Sequence, residues 1–269
     1  MSLPSKSEII VLKDKDWLVR QKIAGRVVAK AHNEIYAMLK GMASNLTLSK
    51  LNGLVEDLIR SNSCTPTFLN YRGFPSTICA SLNNELVHGT GTRDIVLKDG
   101  DVLKIDIGAT FEGAIGDCAV TYVYGKIKNP EIGRMLISCQ GALYDAINLV
   151  EPGRRVGEIG KAIWDRSKND GFGVIVDFGG HGINYDKLHA DPFIPNKSAS
   201  SDGVTVQAGM SIAIEPMFVL GKNIKTKTLT DKWTVITHDI GCHFEHSVTL
   251  DEDGGRHIIT EHGISAKDY

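Results

Sequence analysis

Apolar residues recur at helical spacing between residues 14 and 39, at Trp17, Ile23, Val27, Val28, Ala31, Ile35 and Leu39. This pattern predicts an amphipathic helix. His32 lies on it, where a surface or capping role is expected. A second helix is expected from about Ser49, read as its cap, to Arg60. The period then changes. Residues 76 to 82 read as a strand, Asn83-Asn84 as a turn, and Leu86-Val87-His88 as a short return strand ending at Gly89. Residues 100 to 124 hold two β-branched, apolar runs around Thr110-Phe111-Glu112-Gly113, which predicts a hairpin with Asp106 directly opposite Asp117. Helical spacing returns over 131–149, stopped by Pro152-Gly153, and over 156–169, stopped near Gly171. Residues 172–196 are too glycine-rich for one helix, so His181 and His189 need not share a helical face, and a lone loop histidine is usually solvent-exposed. An apolar strand over 209–219 carries Glu215, and a last strand pair over 233–250 carries Glu245. From residue 251 the chain turns polar and is expected to wind over the surface.

One echo crosses the chain. Gly100 precedes Asp106 by six residues, as Gly209 precedes Glu215, each through an apolar run. A later strand adds a second acid in each half, Asp117 and Glu245. Two similar half-sites suggest a duplicated α+β unit around a shared centre.

Composition changes this picture little. A chain of 269 residues can bury a sizeable core. A formal charge of −2 argues against nucleic acid as the main ligand. No run of 18 apolar residues suits a membrane span. Ile9-Ile10-Val11-Leu12, flanked by lysines, is too short for a secretory signal. Five scattered cysteines without CxxC spacing point to reduced thiols and a cytoplasmic setting. No apolar strip calls for a second copy, so a monomer is expected. Residues 1–13 read as a flexible segment, 14–250 as a single catalytic domain and 251–269 as a tail.

The chemistry lies in acids on apolar strands. A carboxylate buried among apolar residues needs a partner, a proton or a cation. The Asp106–Asp117 pair has a simpler alternative, two surface aspartates on the wet face of a hairpin. Taken together, Asp106, Asp117, Glu215 and Glu245 balance two divalent cations, and His181 adds one neutral nitrogen. Oxygen ligands with one nitrogen suit Mn, Fe, Co or Zn alike. Two such ions, roughly 3.5–4 Å apart, can make hydroxide near neutral pH. Asp117 or Glu245 would bridge them, and His88 and His189 would hydrogen-bond substrate or a developing oxyanion. Phe68, Tyr71, Phe74 and Cys79, clustered around Gly73 and Pro75, either fill the core or line an apolar pocket.

Five strings in order, NNELVHG (83–89), KIDIGATFEGAIGDCAVT (104–121), GHGINYDKLHADP (180–192), GMSIAIEPM (209–217) and HFEHSVTL (243–250), resemble the methionine aminopeptidases. The resemblance runs from about Leu18 to Leu250. It implies the pita-bread fold, with two pseudo-symmetric halves, a central antiparallel sheet and outer helices. It implies metal ligands at Asp106, Asp117, His181, Glu215 and Glu245, the five residues the charge argument selects. It places His88 near the substrate amine, His189 at the scissile carbonyl and Glu215 as proton shuttle. Tyr71, Phe74, Cys79 and Trp233, with Phe68 beside them, match positions lining a methionine pocket. The implied reaction removes the initiator methionine from nascent chains whose second residue is small, with transient ribosome association a further expectation. Short spacing between Glu215 and Glu245 resembles the bacterial-like type I class, whereas the Ile107-Gly108 and Cys118-Ala119 surroundings are similar to type II strands. Arg72 stands where that family usually has histidine, and Leu188 where an aromatic often closes the pocket. Two other readings of these residues are a proline-specific peptidase of the same fold and a metal-free binding protein on the same scaffold.

Overall fold

The computed structural model describes residues 10–269, so most of the expected flexible segment lies outside the described residues. Lys13, at its end, donates its backbone N–H to Gly209 O at 2.7 Å. Helix α1 spans Lys15–Lys40 and starts where the Asp14 carboxylate accepts Trp17 N–H at 2.7 Å. Helix α2 spans Leu48–Ser61. Its cap is Thr47, which accepts from Lys50 N–H, rather than Ser49. Ser49 instead hydrogen-bonds the Asp94 carboxylate at 2.9 Å. Helices α3 (Pro130–Ile147) and α4 (Val156–Asp170) fall where their periodicity predicts. α3 ends before Pro152-Gly153, whereas α4 ends on Gly171 in the left-handed region at φ +88°.

The hairpin of strands Asp101–Phe111 and Ala114–Tyr124 is shifted from the expected register. Asp106 pairs with Ala119, and Asp117 pairs with Gly108. The turn is the tighter two-residue Glu112-Gly113, with φ +46° and +79°. Such positive angles match the twist of a hairpin and favour glycine. The two aspartates are therefore diagonal neighbours on one face rather than directly opposed. Strand Ile78–Leu82 joins the outer side of the Asp106 strand.

The second half is a five-stranded antiparallel sheet. Its order is Arg256–Ile258, His246–Leu250, Ser211–Ile214, Gly179–Asn184 and Lys187–Pro195. The glycine-rich stretch expected as loop is thus a hairpin. Its glycines answer close backbone approach, since a Cβ at Gly180 would lie 2.1 Å from Ala213 O and one at Gly182 2.0 Å from Asp191 O. Residues 233–250 do not pair with one another. Val235–Ile236 pairs with Glu85–Val87, Gly241–His243 with Met217–Val219, and His246–Leu250 with Ser211–Ile214. The tail is structural and does not merely wind over the surface. Arg256–Ile258 extends the sheet, and Ile259, Ile264 and Ala266 are buried.

α1 and α2 pack on the first half, α3 and α4 on the second. α1 comes close because Gly25 meets Gly116, where an added Cβ would sit 2.8 Å from the Gly25 backbone. His32 is fully buried beneath this contact, contrary to the expected surface role. Its ring bonds Tyr122 Oη at 2.7 Å and Cys118 O at 2.9 Å. The echo between the halves has a backbone counterpart, because Gly100 and Gly209 are both left-handed (φ +88° and +80°) just ahead of the acid-bearing strands. The halves are stitched where residues 243–247 run beside 117–121. Glu245 N–H donates to Ala119 O at 2.9 Å, and Ser247 Oγ both accepts from Asp117 N (2.9 Å) and donates to Asp117 O (2.8 Å). Among the described residues no helix is long and apolar enough to cross a membrane.

Candidate active site

The candidate site residues named from the sequence all line one cavity of about 600 Å³ at this junction. Asp106 and Asp117 come from the hairpin. His181 comes from strand Gly179–Asn184, and Glu215 from the break ahead of Pro216, between strands rather than within one. Glu245 sits in the matching break between Gly241–His243 and His246–Leu250. The stitch at Ser247 sets Glu245 against Asp117, so the fold, not chain proximity, assembles the group.

The imidazole of His181 is buried, not solvent-exposed. Its Nδ1–H donates to Gly182 O at 3.1 Å, which turns the Nε2 lone pair toward the acids. Nε2 lies 3.7 Å from Asp117 Oδ2 and 3.8 Å from Glu215 Oε1. Burial lowers its pKa to about 4, so these contacts join a neutral ring to carboxyl groups. The acids move the other way. Burial, with repulsion from Asp117 and Glu215, holds Asp106 well above the usual carboxylate range. Burial, then Asp117, does the same to Glu215, and burial with three neighbouring acids does so to Glu245. Asp117 is pushed up to about 7 by burial. Without a cation, four carboxyls cannot all ionise in this space. Asp106 Oδ1, Asp117 Oδ1 and Glu245 Oε1 are buried without a hydrogen-bond partner among the described residues. Donor atoms of Asp117, His181 and Glu245 lie within 4.8 Å of one another, as do those of Glu215, His243 and Glu245. Unpaired oxygens of this kind, with imidazole nitrogens among them, form a donor set suited to divalent metal.

An apolar compartment adjoins the acids. Phe68, Phe74 and Cys79 are buried, and Phe74 meets Trp233 edge to face with ring centroids 5.2 Å apart. Leu188 is buried in the same cluster, with Tyr71 packed against it. Tyr71 Oη lies 2.9 Å from His189 Nδ1, and the His189 and His181 rings stand 4.5 Å apart. Desolvation in the pocket, then His181, Arg72 and His88, keeps His189 neutral. His88 follows its short strand with φ +59°, a left-handed backbone, and packs edge-on against Phe178. Arg72 lines the same cavity, beside the Tyr71 ring.

A profile of metallopeptidase family M24 matches residues 20–252. The chain belongs to metallopeptidase family M24. It is 42% identical over 248 residues to methionine aminopeptidase of Mycoplasma capricolum, covering 91% of this chain and 96% of that protein. The crystal structure of methionine aminopeptidase from Rickettsia prowazekii matches with a TM-score of 0.87 at 30% identity, over 94% of this chain and all of that one. Prolidase from Pyrococcus furiosus is more distant, with a TM-score of 0.71 at 22% identity and 65% of its chain covered, and shares the fold alone. The two-halved α+β architecture is thus the pita-bread fold of M24, and the orphaned acids at its centre fit a metallopeptidase.

One ionisable residue beside the acids escaped sequence reasoning. His243 is buried, lines the cavity, and brings Nε2 to 3.2 Å from Glu215 Oε2. A signal for it was present in the string HFEH, since residues 243 and 245 share a side of an extended chain.

Proposed function

We propose that this M24 enzyme removes the N-terminal methionine from peptides and nascent proteins when the second residue is small. The observation that carries the reading is the single cavity in which five candidate metal ligands adjoin an apolar compartment lined by Phe68, Phe74, Cys79 and Trp233. Asp106, Asp117, His181, Glu215 and Glu245 would hold two divalent ions, drawn from Co, Mn, Fe or Zn. Ions held there supply Lewis acidity, which acidifies water and polarises a carbonyl.

The chain's own groups do the rest. Tyr71, Phe74, Cys79 and Trp233, with Phe68, surround a methionine side chain with soft, aromatic contacts that favour a thioether. His88 orients the amino end of the substrate. With Tyr71 Oη donating to its Nδ1, neutral His189 carries its proton on Nε2 and can donate it to the oxyanion that develops on the scissile carbonyl. Glu215 takes the proton from water and delivers it to the leaving amine. Its apolar surroundings favour the protonated form that this delivery requires. Peptide N-termini are accordingly its partners. The cytoplasm is the compartment in keeping with five buried cysteines, none in a disulfide.

Metal-stripped protein, reloaded with each metal in turn, is tested on Met-Ala-Ser and Ala-Pro-Ala. Methionine release only with metal, and little cleavage of the proline peptide, is expected. Preference for the proline peptide would transfer the function to the prolidase type. Inactivity with every metal, in folded protein, would leave a binding role.

A further inference from the structure

Cys118, His246 and His262 form a second buried group of potential metal ligands, but hydrogen bonds already occupy most of it. The Cys118 thiol donates to Glu245 O, and the His246 ring bonds Thr260 Oγ1 at 2.9 Å and Tyr144 Oη at 3.3 Å. His243 differs. The residue is 2% exposed, and among the described residues Nε2 makes no hydrogen bond. The 3.2 Å approach to Glu215 Oε2 is close but lacks hydrogen-bond geometry. An imidazole nitrogen left unpaired in the core is costly. Nor is its position an accident of a loose loop. Thr121 Oγ1 accepts from His243 N–H at 2.9 Å and donates to His243 O at 2.7 Å, clamping the backbone from which the ring projects.

Glu215 stands between two imidazoles. Oε1 faces His181 Nε2 at 3.8 Å, and Oε2 faces His243 Nε2 at 3.2 Å. The two donor groups, Asp117–His181–Glu245 and Glu215–His243–Glu245, share only Glu245. We propose that His243 is a sixth protein ligand of the centre, so that each of the two groups carries its own nitrogen donor. This rests on the metal-centre reading above and goes beyond its five-residue set. The added nitrogen favours Fe, Co or Zn over Mn at the His243 side, because imidazole suits those ions better than an all-oxygen set does.

Cobalt-loaded protein separates the possibilities by proton NMR. A histidine bound to Co(II) through Nε2 shows a strongly shifted, solvent-exchangeable Nδ1–H signal. Two such signals are expected in the wild type, from His181 and His243, and one in His243→Gln. Calorimetry of the stripped proteins should show one of two cobalt equivalents weakened by more than about 100-fold in the variant, beyond the roughly 10- to 100-fold that loss of a group merely supporting a metal costs. Glutamine can still hydrogen-bond Glu215, so a merely supporting role for His243 would leave both affinities near wild type. A single shifted signal in the wild type would overturn the proposal without any variant having to fold, and so would two signals in His243→Gln. Absence of cobalt uptake by the wild type is a different result: it removes the metal centre itself, and this ligand with it.

Discussion

At the scale of the residue, Glu215 and His189 are assigned different work, and substitution should separate them. Glu215→Gln keeps the shape but removes the carboxylate proposed to hold metal and to carry the proton. Its kcat should fall by about 10²–10⁴-fold, the usual weight of a positioned acid–base group, with reduced metal uptake read by elemental analysis. His189→Ala should lose roughly 10²–10³-fold in kcat, the cost of one oxyanion donor, with metal content unchanged. A loss of metal from His189→Ala would reassign that residue to the ligand set. The four acids were legible in sequence because a charge among apolar residues is conspicuous, whereas His181 sits between glycines and entered the set only as a neutral nitrogen to accompany them. His32 misled for the opposite reason. Helical spacing showed it on an otherwise plausible surface, while its partners, Tyr122 and the Cys118 carbonyl, lie 90 and 86 residues away.

At the scale of the element, the decisive contact is the seam between the hairpin and the segment around Glu245. Ser247→Ala would leave the Asp117 N–H and C=O without their partner in a buried seam. It should cost about 1–3 kcal/mol, the penalty for stranded buried groups, seen as a lower urea midpoint at unchanged m. Gly116→Ala would drive a Cβ into the α1 backbone at Gly25, which cannot swing aside as a side chain could. A loss of about 1–3 kcal/mol is expected from such overpacking, and a variant as stable as the parent would show that α1 can lift. Element types and most bounds were readable from periodicity. Registers were not: Asp106 pairs with Ala119 because the turn is two residues long, and apolar runs on both sides of a hairpin do not determine where it bends.

At the scale of the whole molecule, the acid cluster couples metal, protons and stability. Burial raises Asp117 to about 7, and Asp106, Glu215 and Glu245 are raised as well. Metal-free folded protein therefore holds protons that the unfolded chain has released. That part of its stability is fully present below the unfolded carboxylate pKa and is lost as pH rises through about 7 at Asp117. Metal competes with the same protons. The rise in Tm on adding cobalt should thus be larger at pH 7.5 than at pH 5.5, measured as a difference that cancels histidines remote from the metal. At 100-fold over Kd the added stability should be about 2.7 kcal/mol. An equal shift at both pH values would mean that the metal does not bind at these carboxyls. The sequence by itself determined the fold class, the four main helices and which acids were out of place. Those follow from local periodicity and from the cost of burying charge, both of which are written along the chain. Only the tertiary structure decided that the tail is part of the sheet, that the strands of 233–250 scatter among five partner strands, and that His243 aims an unpaired nitrogen at Glu215. These depend on which distant strands find each other. Many pairings suit the same apolar pattern, and packing of the whole core selects one.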